Sequence, residues 1–314
     1  MKNNIYFDLI GGSAPIRIGV DIGGTKLEAI ALDPGGTTRA RRRVATPGGD
    51  YEGTVRAVAD LVRAVESEAG GSGPVGVGIP GSVSRTNGLV KGANSTCLNG
   101  RPLDRDVAAA IGRPVRLAND ANCFALSEAS DGAAAGRHVV FGAILGTGVG
   151  GGIVIDGRVL DGANGIAGEW GHTPLPAPDD KDGPVCWCGR ASCIEAYLSG
   201  PALAADHARR HGGTRSARDL AAAAAEGDAA SRGTIERHAR RLARALAQII
   251  NVLDPDVIVL GGGLSQIASL YARVPALWEP HVFSDAVTTP LLPPKHGDSS
   301  GVRGAARLWP EALP

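Results

Sequence analysis

The chain has 314 residues, with 32 Lys and Arg against 32 Asp and Glu, so its formal net charge is zero. That length leaves room for two lobes with cores of their own, and the dispersed, balanced charge excludes a broad nucleic-acid footprint. No apolar run is long enough to span a bilayer, and five cysteines do not make the even framework of an oxidising compartment. A cytoplasmic protein with a small-molecule partner is expected.

Residues 1–15 lack the basic start and apolar run of a signal peptide and read as a flexible extension. Residues 16–21 then alternate apolar and small side chains. Gly23-Gly24-Thr25-Lys26 turns the chain into 27–32, and Asp33-Pro34-Gly35-Gly36 turns it again toward 39–45, a strand meander. The glycines of the first turn can bring backbone N–H groups up to a phosphate, with Asp21 holding a hydrated magnesium ion. A plain hairpin turn uses the same residues, and both readings stand. A P-loop is rejected, because Thr25 precedes Lys26 and no helix follows. Val55, Val58, Val62, Val65 and Ala69 fall at helical spacing over 51–69, and 75–79 is a short buried strand broken by Pro80-Gly81.

Residues 88–100, rich in Gly, Asn, Ser and Thr, form a loop that can offer Asn94 to a polyhydroxylated ligand or serve as a connection only. A strand at 114–117 runs into Asn119 and Asp120, and 121–129 reads as a helix. A carboxylate at the mouth of a strand is placed for catalysis; Asp120 as a helix N-cap is the equal alternative. The strand at 139–145 leads into a run containing Gly146-Thr147-Gly148 and matching Gly-x-Gly-x-x-Gly, yet 153–160 reads as strand, turn and strand. The dinucleotide reading therefore fails on context. What remains is a second glycine hairpin able to cradle phosphate, and two of one kind point to a duplicated architecture.

His172, Cys186, Cys188 and Cys193 offer one imidazole and three thiolates, the closed ligand set of a structural zinc ion. The metal would pin a loop poor in apolar residues and hold Glu169 and Glu195 at its ends. Buried apolar cysteines or a redox pair are the other readings, but four ligands in one short loop favour the metal. Helices are expected at 199–210 and 220–226. Ile235, Ala239, Leu242, Leu246, Ile249 and Leu253 trace a further amphipathic stripe, with Arg237, Arg240, Arg241 and Arg244 read as a solvated face. His207, His211, His238 and His281 read as surface residues. The last buried strand, 256–260, ends in Gly261-Gly262-Gly263, where bare backbone lets an adenine or ribose lie close.

Taken in order, Asp21 to Lys26, Leu145-Gly146-Thr147-Gly148, Glu169-Trp170-Gly171-His172, Cys186-Trp187-Cys188-Gly189, Cys193-Ile194-Glu195 and Leu260-Gly261-Gly262-Gly263 resemble the ROK family of sugar kinases. The likeness runs from about residue 16 to the C-terminus. Lys91-Gly92-Ala93-Asn94-Ser95-Thr96, the stretch 117–123 and the closing 295–304 look most like bacterial fructokinases of the mannofructokinase type. Ser192 departs from the pattern, since relatives commonly carry glycine there.

The resemblance implies an actin-like ATPase fold of two α/β lobes, each built on a ribonuclease H-like sheet. The N-terminal lobe would cover 16–118, the C-terminal lobe 119–300 with its zinc loop at 172–193, and 301–314 would pack back on the first lobe. It also implies ATP contacts at Gly23, Gly24, Thr25, Lys26, Gly146, Thr147, Gly148, Gly261, Gly262 and Gly263, magnesium at Asp21, and zinc at His172 and the three cysteines. Asp120 matches the catalytic base, and Asn94, Asn119, Asp120, Glu169, His172 and Glu195 match the sugar ligands. The implied reaction is ATP-dependent phosphorylation of D-fructose to fructose 6-phosphate, with mannose also accepted. An N-acetylglucosamine kinase or glucokinase is the alternative, and a sugar-responsive regulator is the non-enzyme one. Such regulators carry a helix-turn-helix ahead of the first hairpin, for which residues 1–15 are too short, and often lose the aspartate. Relatives are usually homodimers, which is the assembly implied here.

Overall fold

The computed structural model describes residues 16–177 and 183–310, so the extension read as flexible at 1–15 lies outside the described residues. Two compact units divide the chain: one holds the chain up to Ser127, Gly162–Ile166 and the segment from Ser299, the other Glu128–Asp161 and Ala167–Asp298. The sequence reading begins the second lobe at residue 119; the contact division begins it at Glu128.

In the first unit β1 (Arg17–Ile22), β2 (Lys26–Leu32) and β3 (Thr38–Ala45) form an antiparallel meander. Helix α1 (Tyr51–Ala69) follows, started by Asp50, whose carboxylate accepts the Gly53 N–H, and stopped by Gly70 in the left-handed conformation. Its stripe of Val55, Val58, Val62 and Val65 is buried in one core with Ile18, Val20, Val75 and Val77. Strand β4 (Val75–Ile79) runs parallel to β1. After it come a two-stranded ribbon, β5 (Ser82–Val83) with β6 (Val90–Lys91), helix α2 (Leu103–Ile111), and β7 (Val115–Asn119) parallel to β4. The unit boundary falls within α3 (Asp120–Ser130). The sheet order is β3-β2-β1-β4-β7.

The second unit repeats the plan. Strands β8 (Val139–Leu145), β9 (Val149–Ile155) and β10 (Arg158–Val159) make a second meander. Helices α4 (Glu195–Leu198), α5 (Gly200–His211), α6 (Ala217–Glu226) and α7 (Ala229–Leu253) lead to β11 (Val257–Gly261), α8 (Ser269–Trp278) and β12 (Leu291–Leu292). The order is β10-β9-β8-β11-β12, with β11 parallel to β8. Helix α9 (Ser300–Ala306) belongs to the first unit and lies directly on β1 and β4. A Cβ on Gly19 would stand 2.0 Å from the Val302 carbonyl oxygen, and one on Gly76 would stand 1.9 Å from that of Ala305. Only glycine permits so close a backbone approach.

The arginine face of α7 differs from the solvated stripe expected. Arg241 is 1% exposed and donates to Asp206 on α5, which also accepts from Arg237; of the four arginines only Arg240 is exposed. His207 and His238 are buried as well, whereas His211 and His281 lie at the surface. Helix α7 is packed against α5, α6 and α8, so its polar residues Thr234 and Arg241 find partners on α5, His207 and Asp206, that periodicity cannot reveal. No helix among the described residues is long and apolar enough to cross a membrane.

Candidate active site

In the first unit Asp21 stands at the end of β1, in space left by two glycines: a Cβ on Gly78 would meet its Oδ1 at 3.2 Å and one on Gly301 at 3.5 Å. Burial first, then the neighbouring carboxylates Asp120 and Glu28, push its acid up to about 6. The buried Cys123 thiol is pushed up by burial and by the same pair, Asp21 and Asp120. The Asp21 carboxylate is the hard oxygen donor that a hydrated magnesium ion takes. The turn between β1 and β2 is closed by the Gly23 N–H donating to the Lys26 carbonyl at 3.0 Å and by Thr46 Oγ1 donating to the Gly23 carbonyl at 2.7 Å. Gly24 and Thr25 are exposed at its tip, and nothing lies within 4 Å of where a Gly24 Cβ would be. A phosphate can therefore approach the bare backbone.

Asn119 and Asp120 occupy the junction of β7 and α3, and both accept the same backbone N–H. The Asn119 side chain takes the capping position, its Oδ1 accepting the Ala121 N–H at 2.9 Å while its Nδ2 donates to the Gly81 carbonyl at 3.0 Å. Asp120 becomes the first residue of the helix, exposed, with Oδ1 also accepting from Ala121 N–H at 2.8 Å. Asn94 is exposed on the loop that follows β6.

In the second unit Gly146, Thr147 and Gly148 form the turn between β8 and β9, closed by the Gly146 N–H donating to the Gly148 carbonyl at 2.9 Å. Gly262, at φ 77°, packs its Cα against the Leu145 carbonyl, so the end of β11 and this hairpin lie together. Gly262 and Gly263 are exposed, and Gly261 is buried in the strand. Glu195 opens α4 beneath the hairpin: its Oε2 accepts the Val149 N–H at 2.8 Å. Its Oε1 accepts from the Trp187 indole at 2.5 Å. Trp187, which the sequence reading left unassigned, is 72% exposed and sets its ring edge-on to His172 at 5.2 Å. The exposed Glu169 precedes a single turn, Trp170–His172, that is tied down where Trp170 Nε1 donates to the Gly150 carbonyl at 2.7 Å.

His172, Cys186, Cys188 and Cys193 converge, their ligand atoms all within 4.8 Å of one another. His172 Nδ1 lies 3.7 Å from Cys186 Sγ, and Cys188 Sγ lies 3.6 Å from Cys193 Sγ. Zinc–sulfur bonds of about 2.3 Å put tetrahedral sulfurs roughly 3.8 Å apart, so the donors fit zinc in type and spacing. Burial pushes the Cys193 thiol up to about 12 and the Cys186 thiol upward, whereas the Arg190 N–H draws Cys188 down. Only a cation among them would stabilise three thiolates so close together. Ser192, at the position where relatives commonly carry glycine, takes φ 60°, the left-handed region that glycine enters at no cost.

The first unit thus carries Asp21, the Gly23 to Lys26 turn, Asn94, Asn119 and Asp120. The second carries the Gly146 to Gly148 hairpin, Glu169, His172, Glu195, the metal cluster and Gly261 to Gly263.

Comparison with known proteins places the whole chain. The ROK family profile matches residues 17–312. An N-acetyl-D-glucosamine kinase of Vibrio parahaemolyticus is 41% identical over 296 residues, covering 92% of this chain and 98% of that one. Among solved structures, the ROK hexokinase from Thermus thermophilus superposes with a TM-score of 0.83 at 33% identity, covering 93% of this chain and 96% of the other. A glucokinase from Streptomyces griseus, in complex with glucose and AMPPNP, gives 0.77 at 30% identity, covering 93% and 98%. The fold of the chain is the actin-like ATPase fold.

Proposed function

The chain belongs to the ROK family, and from that premise we propose that it is an ATP-dependent hexose kinase whose sugar is N-acetyl-D-glucosamine. A sugar hydroxyl is a weak nucleophile at neutral pH, so a carboxylate must take its proton as the bond to the γ-phosphorus forms. Asp120 fills that role. Its exposed carboxylate at the start of α3, where β7 ends, is the observation that carries the mechanism.

Asn94, Asn119, Glu169, His172 and Glu195 bind the sugar hydroxyls. The turn from Gly23 to Lys26 and the hairpin from Gly146 to Gly148 offer N–H groups to the phosphates, and Lys26 adds a positive charge. Gly261, Gly262 and Gly263 leave bare backbone for the adenosine. Magnesium, held by Asp21, would supply positive charge against the negative charge on the phosphoryl oxygens. With Nδ1 of His172 turned to the metal cluster, Nε2 is left to donate to a sugar hydroxyl. The protein acts as a homodimer in the cytosol, where its cysteines stay unpaired.

The sequence reading set D-fructose first. Identity of 39 to 41% over nearly the full length of N-acetyl-D-glucosamine kinases from several bacteria supports the alternative instead. An ADP-release assay across N-acetyl-D-glucosamine, D-glucose, D-mannose and D-fructose tests it. The expected outcome is a kcat/KM at least roughly tenfold higher for the N-acetylated sugar, as a site that hydrogen-bonds a substrate amide rejects analogues lacking it. A higher value for fructose would restore the first reading.

A further inference from the structure

Asn94 sits on the connection between β6 and α2, a segment with little regular structure, yet the residue before it is gripped from two sides. The buried Ala93 donates its N–H to Asn99 Oδ1 at 2.9 Å and accepts from Asn99 Nδ2 at 2.9 Å through its own carbonyl. One side-chain amide thus satisfies both backbone groups of Ala93, as a neighbouring strand would. On the other side lies Gly81, at φ 140°: a Cβ there would stand 2.7 Å from the Lys91 carbonyl oxygen and 2.9 Å from the Ala93 nitrogen. The Gly81 carbonyl in turn accepts from Asn119 Nδ2 at 3.0 Å. Asn119 immediately precedes Asp120.

We infer that Asn99 is a positioning residue that, by clamping the Ala93 peptide against Gly81, holds the Asn94 side chain on the same frame as Asp120. The inference rests on the reading of Asn94 as a sugar ligand. The loop does not depend on Asn99 to stay folded. Its neck is closed by the Gly100 N–H donating to the Val90 carbonyl at 2.8 Å and the Val90 N–H donating to that of Arg101 at 3.0 Å. Leu98 is fully buried and anchors its far side. Removing the Asn99 amide therefore loosens the Ala93–Asn94 segment and leaves the remainder in place.

The test is a double-mutant cycle in the full-length protein, Asn94→Ala, Asn99→Ala and both together, read by ADP release with N-acetyl-D-glucosamine, or with whichever hexose of the four-sugar panel proves faster. Asn99→Ala is expected to raise the sugar KM about tenfold, the worth of two neutral hydrogen bonds, while the ATP KM stays within about twofold and the melting temperature is nearly unchanged. Asn99→Asp keeps the acceptor for the Ala93 N–H and falls in between. In the Asn94→Ala background the Asn99 effect should vanish. A wild-type sugar KM for Asn99→Ala beside a raised one for Asn94→Ala overturns the inference alone. So does a full additive effect in the double variant, or a parallel loss of ATP affinity and thermal stability, which marks a merely structural role. An unchanged sugar KM for Asn94→Ala removes the sugar-ligand reading and the inference with it.

Discussion

The proposed mechanism concentrates the chemistry in one carboxylate, that of Asp120. Asn119 and Asp120 both accept the Ala121 N–H at the start of α3, at 2.9 and 2.8 Å, and Asp120 is the exposed one of the two. Sequence alone leaves capping and catalysis level for Asp120, because a carboxylate at a helix start can do either; the end of β7 delivers Asn119 beside it, to Gly81 and Ala121. Asp120→Asn keeps the shape of the site but cannot accept the proton. Turnover should fall by about a hundredfold or more, while sugar affinity measured by equilibrium titration stays within a few-fold. Near-normal turnover would remove the assignment.

Among the elements, the metal loop and the α5–α7 pair make opposite cases. The ligand spacing of the loop was legible because four soft donors in one short stretch carry a chemical meaning independent of fold. Stripping the metal with a chelator should weaken sugar binding before ATP binding, since His172 belongs to the cluster itself and Glu195 is held on one side by Trp187 between two of the cysteines, whereas the Gly146 hairpin is fixed by the β8–β9 ladder. A zinc-free preparation, verified by metal analysis, with an unchanged sugar KM would break that link.

Helix α7 was legible as a helix but not in its burial. Periodicity marks an apolar stripe; it does not show that Asp206 on α5 meets Arg237 and Arg241. His238, 1% exposed with neither ring nitrogen hydrogen-bonded among the described residues, has its pKa lowered to about 4 by burial and then by the Arg241 charge. A depressed histidine contributes no penalty above its unfolded value of about 6.5. Between there and about pH 4 the unfolded chain binds a proton that the native one refuses, so stability falls with pH by up to roughly 3 kcal/mol and then levels. Urea melts of wild type and His238→Gln across that window should show the extra slope in the wild type only. Parallel curves would place the histidine elsewhere.

At the scale of the whole molecule the duplication is the organising fact. Both sheets place an antiparallel meander beside strands parallel to its first member, and both meanders turn through glycines. The long, strongly patterned segments were readable: α1, β4 and β8 fall at the bounds expected from spacing alone. Helices α2, α8 and α9 were not. Each is ten residues or fewer; α8 contains Pro275, and α9 contains Gly301 and Gly304, which lower helix propensity but are required where backbones touch. Sugar identity was the least legible feature, because hexoses share one hydroxyl pattern and neither the shape nor the hydrogen-bond partners of a pocket for an N-acetyl group can be read from residue spacing.

The most direct measurement is identification of the product after incubation of the purified protein with ATP, magnesium and N-acetyl-D-glucosamine. Phosphorus–proton correlation NMR should show one phosphomonoester on the C6 oxygen of the sugar, formed in step with ADP. ADP released without a sugar ester, or no reaction with this sugar while fructose is phosphorylated, would contradict the account.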